Sequence, residues 1–486
     1  MTTRDNLSPH RRFVFDYVDR NAKAIALTGD NIFYFGELGM QEFETAKLMT
    51  DLLERGGFRV ERGIAGFPTG FCATFGSGEP VIAIHTEYDA VPDNSQVSGT
   101  TQQKFIVEGA PGHCEGHNVN AAVLIGTALA ARNAMAKFGL GGTLKVFGAP
   151  AEEQLVSRPY YVRDGLFDDV DVAFHNHIGA EFSASHGLLQ YALVSATFTF
   201  HGETAHSGTS PWRGRDALDG VVLMDMGLAQ YREHMAPTAR IHRVITNGGD
   251  QPNVIPRVAS VWWFFRDGSA EGALKLFEQA KKVAQGAALM SNTEVKVEVL
   301  SAVWPLRCNR TLSELVQRNI EIVGMPAWTD EEEAMARELQ KNAGVKVEGL
   351  KRDIRPMKGE GSQKPSANDA GDVSWKVPMT KFYYPSNVPN ITSHHWGAGA
   401  VLAHSIAHKG AVAGAKAFAA AVVECFADPQ VVAEAKRSFK EELGGVEYKP
   451  LLPRDQKPPV DLNRALMERY RPEMKKHYLK ERPEFS

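Results

Sequence analysis

LVSATFTFHG (residues 193–202) opens the stretch that decides the fold. It alternates apolar and polar residues as a strand does, and the period then changes several times. GRDALDGVVLMDMGLAQYREHM (214–235) repeats apolar residues at helical spacing, and RIHRVITNG (240–248) and ASVWWFFRDG (259–268) read as two strands. AEGALKLFEQAKKVAQGAALM (270–290) is a second helix and EVKVEVL (294–300) a fourth strand. The order β-α-β-β-α-β is that of the ferredoxin-like split unit. It occupies roughly residues 193–304 and reads as a small domain inserted into a larger one.

Working outward, the flanks read as an α/β fold. A helix is expected over about residues 10–25, and LGMQEFETAKLMTDLLERGGF (38–58) is helical up to its Gly-Gly stop. The β-rich runs RVERGIAG, FCATFGSG and PVIAIHTEYDAVP follow, then the helix NAAVLIGTALAARNAMAKFG (120–139) and the strand GTLKVFGAP (142–150). Strands alternating with helices predict a largely parallel sheet. Beyond the inserted unit, IAHKGAVAGAKAFAAAVVECFADP (406–429) is a late helix. The division expected is 1–192 and 305–440 for the larger domain, 193–304 for the insertion, and 441–486 for a proline- and charge-rich tail on the surface.

The 486 residues exceed what one hydrophobic core usually serves, which fits two domains. The 54 basic and 58 acidic residues leave a formal charge of -4, so nothing in the charge balance favours nucleic acid or an anionic membrane as partner. The start MTTRDNLSPHRRF lacks the apolar core of a signal peptide, and no apolar run is read as approaching the roughly 20 residues that cross a bilayer. A cytoplasmic location and a small-molecule substrate are therefore expected. Cys72, Cys114, Cys308 and Cys425 are far apart and form no C-x-x-C pair, which argues against a disulfide framework or a zinc knuckle.

Four stretches carry groups suited to metal-assisted hydrolysis, which needs nitrogen and oxygen ligands plus a carboxylate free to accept a proton from water. In GHCEGHN, Glu115 and His117 stand two apart, so a tight loop can aim both the same way. In FGAPAEEQ, Glu152 and Glu153 end an apolar strand and suit a division into base and ligand. DVAFHNHIG sets His175 and His177 at another strand end, and SHHWGAG carries His394 and His395. Singly each is weak, since adjacent glutamates are ordinarily a solvated surface. Position strengthens them, because ligands converge at the carboxyl ends of strands in an open parallel sheet.

The order and spacing of these motifs resemble the dinuclear zinc aminoacylase and carboxypeptidase family of metallopeptidases, within it the amidohydrolase branch that cleaves conjugated amino acids. The resemblance covers most of the chain. It rests on EYDAVP (87–92), EGHN (115–118), PAEE (150–153), the step from Asp171 to His177, GETAHSGTSPWRGRDALDGVVLMDMG (202–227) and TNGGDQPNVIPRVASVWWFFRD (246–267). Closer still, within that branch, are ANDAGDVSWKVP (367–378) and SHHWGAGAVLAHSIAHKGAVAGAKAFA (393–419). The resemblance implies a metallopeptidase-like catalytic α/β domain with the ferredoxin-like unit as its lid and dimerisation domain.

It also implies roles. Glu152 falls on the general base; Glu153, His117 and His177 fall on metal ligands, with His175 left open as an alternative to His177. His394 falls on the last ligand, with His395 as its alternative. Asp89 and Glu87 fall on groups that support the ligands from behind. Glu115 stands where the branch places a bridging cysteine, while Cys114, one residue early, points away. A carboxylate can also bridge two ions but is harder, which shifts the preference from zinc toward manganese. Two divalent ions per subunit are expected, with a single ion as the alternative. His206 matches a lid histidine that donates to the oxyanion in the other subunit's site, which implies a homodimer joined through the lid. Asn253 and Arg266 are candidates for a substrate carboxylate. His242, the His404/His408 pair and Trp262–Trp263 read as structural or surface groups. The activity implied is amide hydrolysis of an N-acyl or N-aroyl amino acid, with aminoarene deamination and an inactive binding subunit as alternatives.

Overall fold

The computed structural model describes residues 7–360 and 363–486. Among the described residues thirteen strands run in chain order: β1 (Arg59–Arg62), β2 (Phe71–Ser77), β3 (Val81–Thr86), β4 (Gly142–Gly148), β5 (Val172–Gly179), β6 (Ser183–Ala184), β7 (Gly187–Leu188), β8 (Ala192–His201), β9 (Arg240–Asn247), β10 (Val258–Asp267), β11 (Glu294–Val303), β12 (Arg307–Cys308) and β13 (Met379–Pro385). Seven of them form one sheet in the order β1-β2-β4-β3-β5-β13-β6. Its centre, β4-β3-β5-β13, is parallel, while β1, β2 and β6 join antiparallel. The parallel strands are buried almost throughout, as strands covered by helices on both faces must be.

One face of this sheet is covered by the helices His117–Phe138 and Ser405–Ala427, which pack on each other and on the N-terminal helices. Both are long and apolar enough to cross a membrane by length and composition, which corrects the reading that no such run exists. Their most apolar windows are 83% and 78% buried inside the protein, so here they are core helices. The single helix expected near residues 10–25 is two, Pro9–Arg20 and Ala22–Phe35. The chain breaks at Asn21, whose side-chain Nδ2 donates to the Tyr17 carbonyl and whose side-chain Oδ1 accepts from the Ser486 N–H.

The second sheet is antiparallel, in the order β11-β8-β10-β9, with the helices Ala217–Tyr231 and Ala270–Met290 against one face. Along β10, Ala259, Val261, Trp263 and Phe265 are buried, while Trp262, Phe264 and Arg266 take the alternate face. The period of two therefore splits the tryptophan pair. Trp263 is a core residue, and Trp262 donates its indole N–H to Ser195 Oγ at 2.8 Å.

The C-terminal stretch is anchored along its length. Tyr448 donates to Asp372, Gln456 to the Val299 carbonyl, Asn463 to the Gly39 carbonyl and Arg471 to the buried Glu37. Met467 and Met474 are buried against Leu38 and Ala110.

Candidate metal centre and active site

The carboxyl ends of β3, β4 and β5 and the first residue of the helix His117–Phe138 meet in one place, and each delivers a polar side chain there. Beyond β3 the chain places Glu87 and Asp89, both buried. Beyond β4 it turns through Ala151 (φ 58°) and Leu155 (φ 59°), which turns Glu152 and Glu153 out of the strand direction. Glu42 braces that turn, accepting from the Ala151 N–H at 2.8 Å and from Thr69 Oγ at 2.8 Å. Gly116, at φ 97°, precedes His117; a Cβ there would stand 2.6 Å from Ile178, so glycine alone lets this loop meet β5.

Asp89 organises the centre. One oxygen accepts from His117 Nδ1 at 3.1 Å and the other from the Glu153 N–H at 2.9 Å. With Nδ1 held, His117 turns Nε2 inward, 3.8 Å from Glu152 Oε2. Glu152 in turn accepts from the Asn368 amide at 2.6 Å. His394 Nε2 lies 3.1 Å from Glu153 Oε2 and 3.3 Å from Glu115 Oε2. Ligating atoms lie within 4.8 Å of one another in three sets: Glu115, Glu153 and His394; His117, Glu152 and Glu153; and Glu87, His117 and His177.

The open alternatives separate by geometry. His177 faces the cluster, its Nδ1 held at 2.9 Å from the Ile178 carbonyl, whereas His175 lies deeper with its Nε2 2.8 Å from Glu87. His394 overhangs the carboxylates, whereas His395 accepts from the Gly397 N–H and caps a short helix. Glu87 is close to both His117 and His177, but its oxygens are occupied by Arg158, His175 and Asn120. Cys114 packs with Val91 and Ala398 in an apolar cluster.

The donor set fits a divalent cation. His117 Nε2, Glu115 Oε2 and Glu153 Oε1 are buried without a hydrogen-bond partner among the described residues. Leaving such atoms without a hydrogen bond is costly; Glu115 and Glu153 share one set of ligating atoms and His117 and Glu153 another, so positive charge at those two sets would answer all three. The electrostatics agree. Burial and Glu153 raise the Glu115 carboxyl, and burial and Glu87 raise Glu152 well above the usual range. The hydrogen bond to Glu153 lifts His394 to about 9; burial opposes the charge on His117, yet Asp89 raises it well above normal. Against its burial, Glu153 moves down under the hydrogen bond from His394, and burial lowers His177, so the raised groups are Glu115, Glu152, His117 and His394, where carboxylates crowd one another.

Glu115, Glu152, Glu153, His177 and His394 line a cavity of about 440 Å³, shared with Phe264 and Arg266 from the four-stranded sheet and Lys381 from β13. Arg266 reaches toward the Pro365 carbonyl, and its Nε is buried without a hydrogen-bond partner among the described residues. His206 is exposed elsewhere, its Nδ1 accepting from the Gly208 N–H at 3.1 Å. Asn253 is exposed beside it, its carbonyl accepting from the Ser207 N–H. Within one chain, therefore, neither lines the cavity. His242 is exposed on β9, His404 caps the helix that begins at Ser405, and His408 pairs with Asp30 at 2.7 Å.

Sequence reading missed Arg158, Asp369, Asn368 and Lys381. Arg158 is completely buried between Glu87 and Asp369 and donates its Nε to His85 Nδ1. Burial opposes the charge on Glu87, but His175 and Arg158 hold its carboxyl well below the usual range. Only ANDAGD pointed to part of this set, through the resemblance. Nothing in SRPYY distinguishes Arg158 from a surface arginine.

Residues 83–454 match the model of Peptidase family M20/M25/M40, and the chain belongs to that family. Family and site together define a hydrolase of amide bonds. One subunit of the p-aminobenzoyl-glutamate hydrolase of Escherichia coli (strain K12) is 31% identical over 473 residues, covering 92% of this chain and 98% of its own. Another subunit of that enzyme is 27% identical over 331 residues, 63% of this chain and 73% of its own. The indole-3-acetyl-aspartic acid hydrolase of Enterobacter agglomerans is 26% identical over 299 residues, 57% of this chain and 68% of its own. Among solved structures, a dinuclear metal-binding peptidase of Bacillus subtilis matches with a TM-score of 0.54 and 19% identity, over 84% of this chain and 99% of that one. That likeness places the α/β fold.

Proposed function

We propose that this protein is a metal-dependent amidohydrolase that cleaves the amide bond of an N-acyl or N-aroyl amino acid. The observation that carries this reading is the buried ligand atoms of His117, Glu115 and Glu153 without a hydrogen-bond partner among the described residues, beside a cavity lined by Glu152, which Asn368 holds. Glu115, His117, Glu153, His177 and His394 are the residues that would hold two divalent ions, zinc or manganese. Such ions, when bound, polarise a carbonyl and make water acidic enough to attack at neutral pH. Asn368 orients Glu152, which takes the proton of the attacking water and returns it to the leaving amine. The raised proton affinity of Glu152 suits a group that must both accept and give. Asp89 keeps His117 in one tautomer throughout.

The four-stranded unit is read as a ferredoxin-like lid. His206, exposed on it, is assigned to the oxyanion in a neighbouring subunit's site, and Arg266, in the cavity wall, to the carboxylate of the amino acid. The neighbour is read as a second copy of this chain. The 31% identical Escherichia coli relative is named as one subunit of its hydrolase, so a partner resembling that enzyme's other subunit is the competing assembly.

Glu152→Gln tests the reading. The variant keeps its metal, measured by elemental analysis, and loses about 10²–10⁴-fold in turnover of N-benzoyl-glutamate. Full turnover in that variant overturns the assignment.

A further inference from the structure

A second cavity, about 420 Å³, adjoins the first. Gln190, Lys364, Ser366 and Tyr383 line both, so the two share a wall. Among the described residues, none of the candidate metal-ligand sets lies in the second. Its charged lining is Lys351, Arg355, Lys358 and Lys364 against Glu181 and Glu348. Two of the cations are already matched: Lys351 lies 2.6 Å from Glu348, and Arg355 pairs with Glu181. Lys358 and Lys364 have no side-chain partner among the described residues.

Their backbones are nevertheless fixed. Lys358 bridges Ser185, and its carbonyl accepts from the His186 N–H at 3.1 Å. Lys364 bridges Gln190, and its N–H donates to the Leu189 carbonyl at 2.8 Å. The segment 185–190 thus holds two unmatched cations at one annex, one of them on the wall shared with the catalytic cavity. Arg266 Nη1 lies 3.4 Å from the Pro365 carbonyl, next to Lys364. The annex therefore continues from the end of the cavity assigned to the amino acid.

The geometry points to a substrate in which the amino acid released carries a further acidic group, several bonds beyond its own carboxylates, that lies in this annex between Lys358 and Lys364. The substrate class is an N-aroyl acidic amino acid extended through its side chain by another acidic residue. This rests on the amidohydrolase reading. Two cations without matched anions attract such a group, and an exposed site makes the attraction sensitive to salt.

The experiment compares two substrates on the metal-loaded protein, N-benzoyl-glutamate extended through its side-chain carboxyl by glutamate or by alaninamide. The acidic extension is expected to lower KM by about fivefold relative to the neutral one, with kcat little changed and the preference shrinking in roughly 0.5 M salt. Lys358→Glu, which touches only the annex, removes the preference while leaving KM for the neutral substrate unchanged; Lys358→Arg retains it. Equal KM values in the wild type, or a preference untouched by Lys358→Glu, overturn the inference. Absence of hydrolysis of both substrates and of N-benzoyl-glutamate fails the amidohydrolase reading instead, so the two failures are distinguishable.

Discussion

At the carboxyl ends of β3, β4 and β5 the larger sheet buries Glu87, Asp89, Glu152, His117, His175 and His177 within a few ångströms of one another. The four-stranded unit does the opposite. It buries Phe198, Phe200, Val261, Trp263 and Phe265 against two helices and leaves His206, His242 and Asn253 in solvent. The difference separates two uses of a sheet. Apolar burial in the second unit stabilises without further conditions. The polar centre is tolerable because its charges have opposites or donors assigned to them, and the buried atoms left over include Glu115 Oε2, Glu153 Oε1 and His117 Nε2, where the proposed cations would sit.

The sharpest test of that contrast cuts one arginine from each region. Arg158→Ala leaves Glu87 and Asp369 buried without the guanidinium that bridges them, and unfolding in urea is expected to show a loss of about 3–5 kcal/mol. Adding Glu87→Gln to it restores part of the loss. Arg243→Ala, which breaks a half-exposed pair with Asp225 in the second unit, is expected to cost under about 1 kcal/mol. Similar costs for the two would erase the distinction.

The exposed histidine gives the next largest effect, on rate alone. His206→Ala is expected to lower turnover about 10²–10³-fold. Its stability should stay within about 0.5 kcal/mol of the parent, because the side chain is exposed. Co-expressed with Glu152→Gln, it should recover activity, since a mixed dimer holds one site with both groups intact. No recovery, or an active monomer in sedimentation, breaks the assignment across subunits.

A smaller effect belongs to Asp372, which lies in the larger unit but away from the cluster. Burial pushes its carboxyl up to about 7, despite hydrogen bonds from the Trp304 N–H and the Tyr448 hydroxyl. Its folded-state value is above its ordinary one, so its contribution is complete below about pH 4 and is lost as pH rises through about 7. Between pH 5 and 8 the wild type should therefore lose on the order of 2–3 kcal/mol more than Asp372→Asn, read from urea midpoints at the two pH values. Parallel curves would remove Asp372 from the account.

Much of this was legible in the chain. The period changes across 193–304 marked β8 to β11 and their two helices to within a few residues, because that unit is built from local patterns: alternation in strands and helical spacing in helices. The ligand groups were legible as pairs, since strand ends and turns can be found from sequence. Where alternatives stood side by side, the chain offered no means of choosing. His175 and His177 share a strand face, and only the depth of β5 below the cavity distinguishes them. His394 and His395 differ by one residue, and the left-handed backbone at His394 (φ 61°) decides which one overhangs Glu153.

By itself, then, the sequence determined the alternation of strands and helices, the family, and which short stretches bring carboxylates and histidines. Those properties reside in neighbours along the chain. Tertiary structure alone decided that Arg158 neutralises Glu87 and Asp369, that Asn368 holds Glu152, and that Lys358 and Lys364 share one annex. The contacts of Arg158 and Asn368 join residues distant in sequence, where periodicity carries no information, and the two lysines line one annex because each bridges a different residue of the segment 185–190. The same reason explains the cluster itself: its candidate ligands come from four segments, and they can share a cation only where the sheet makes them meet.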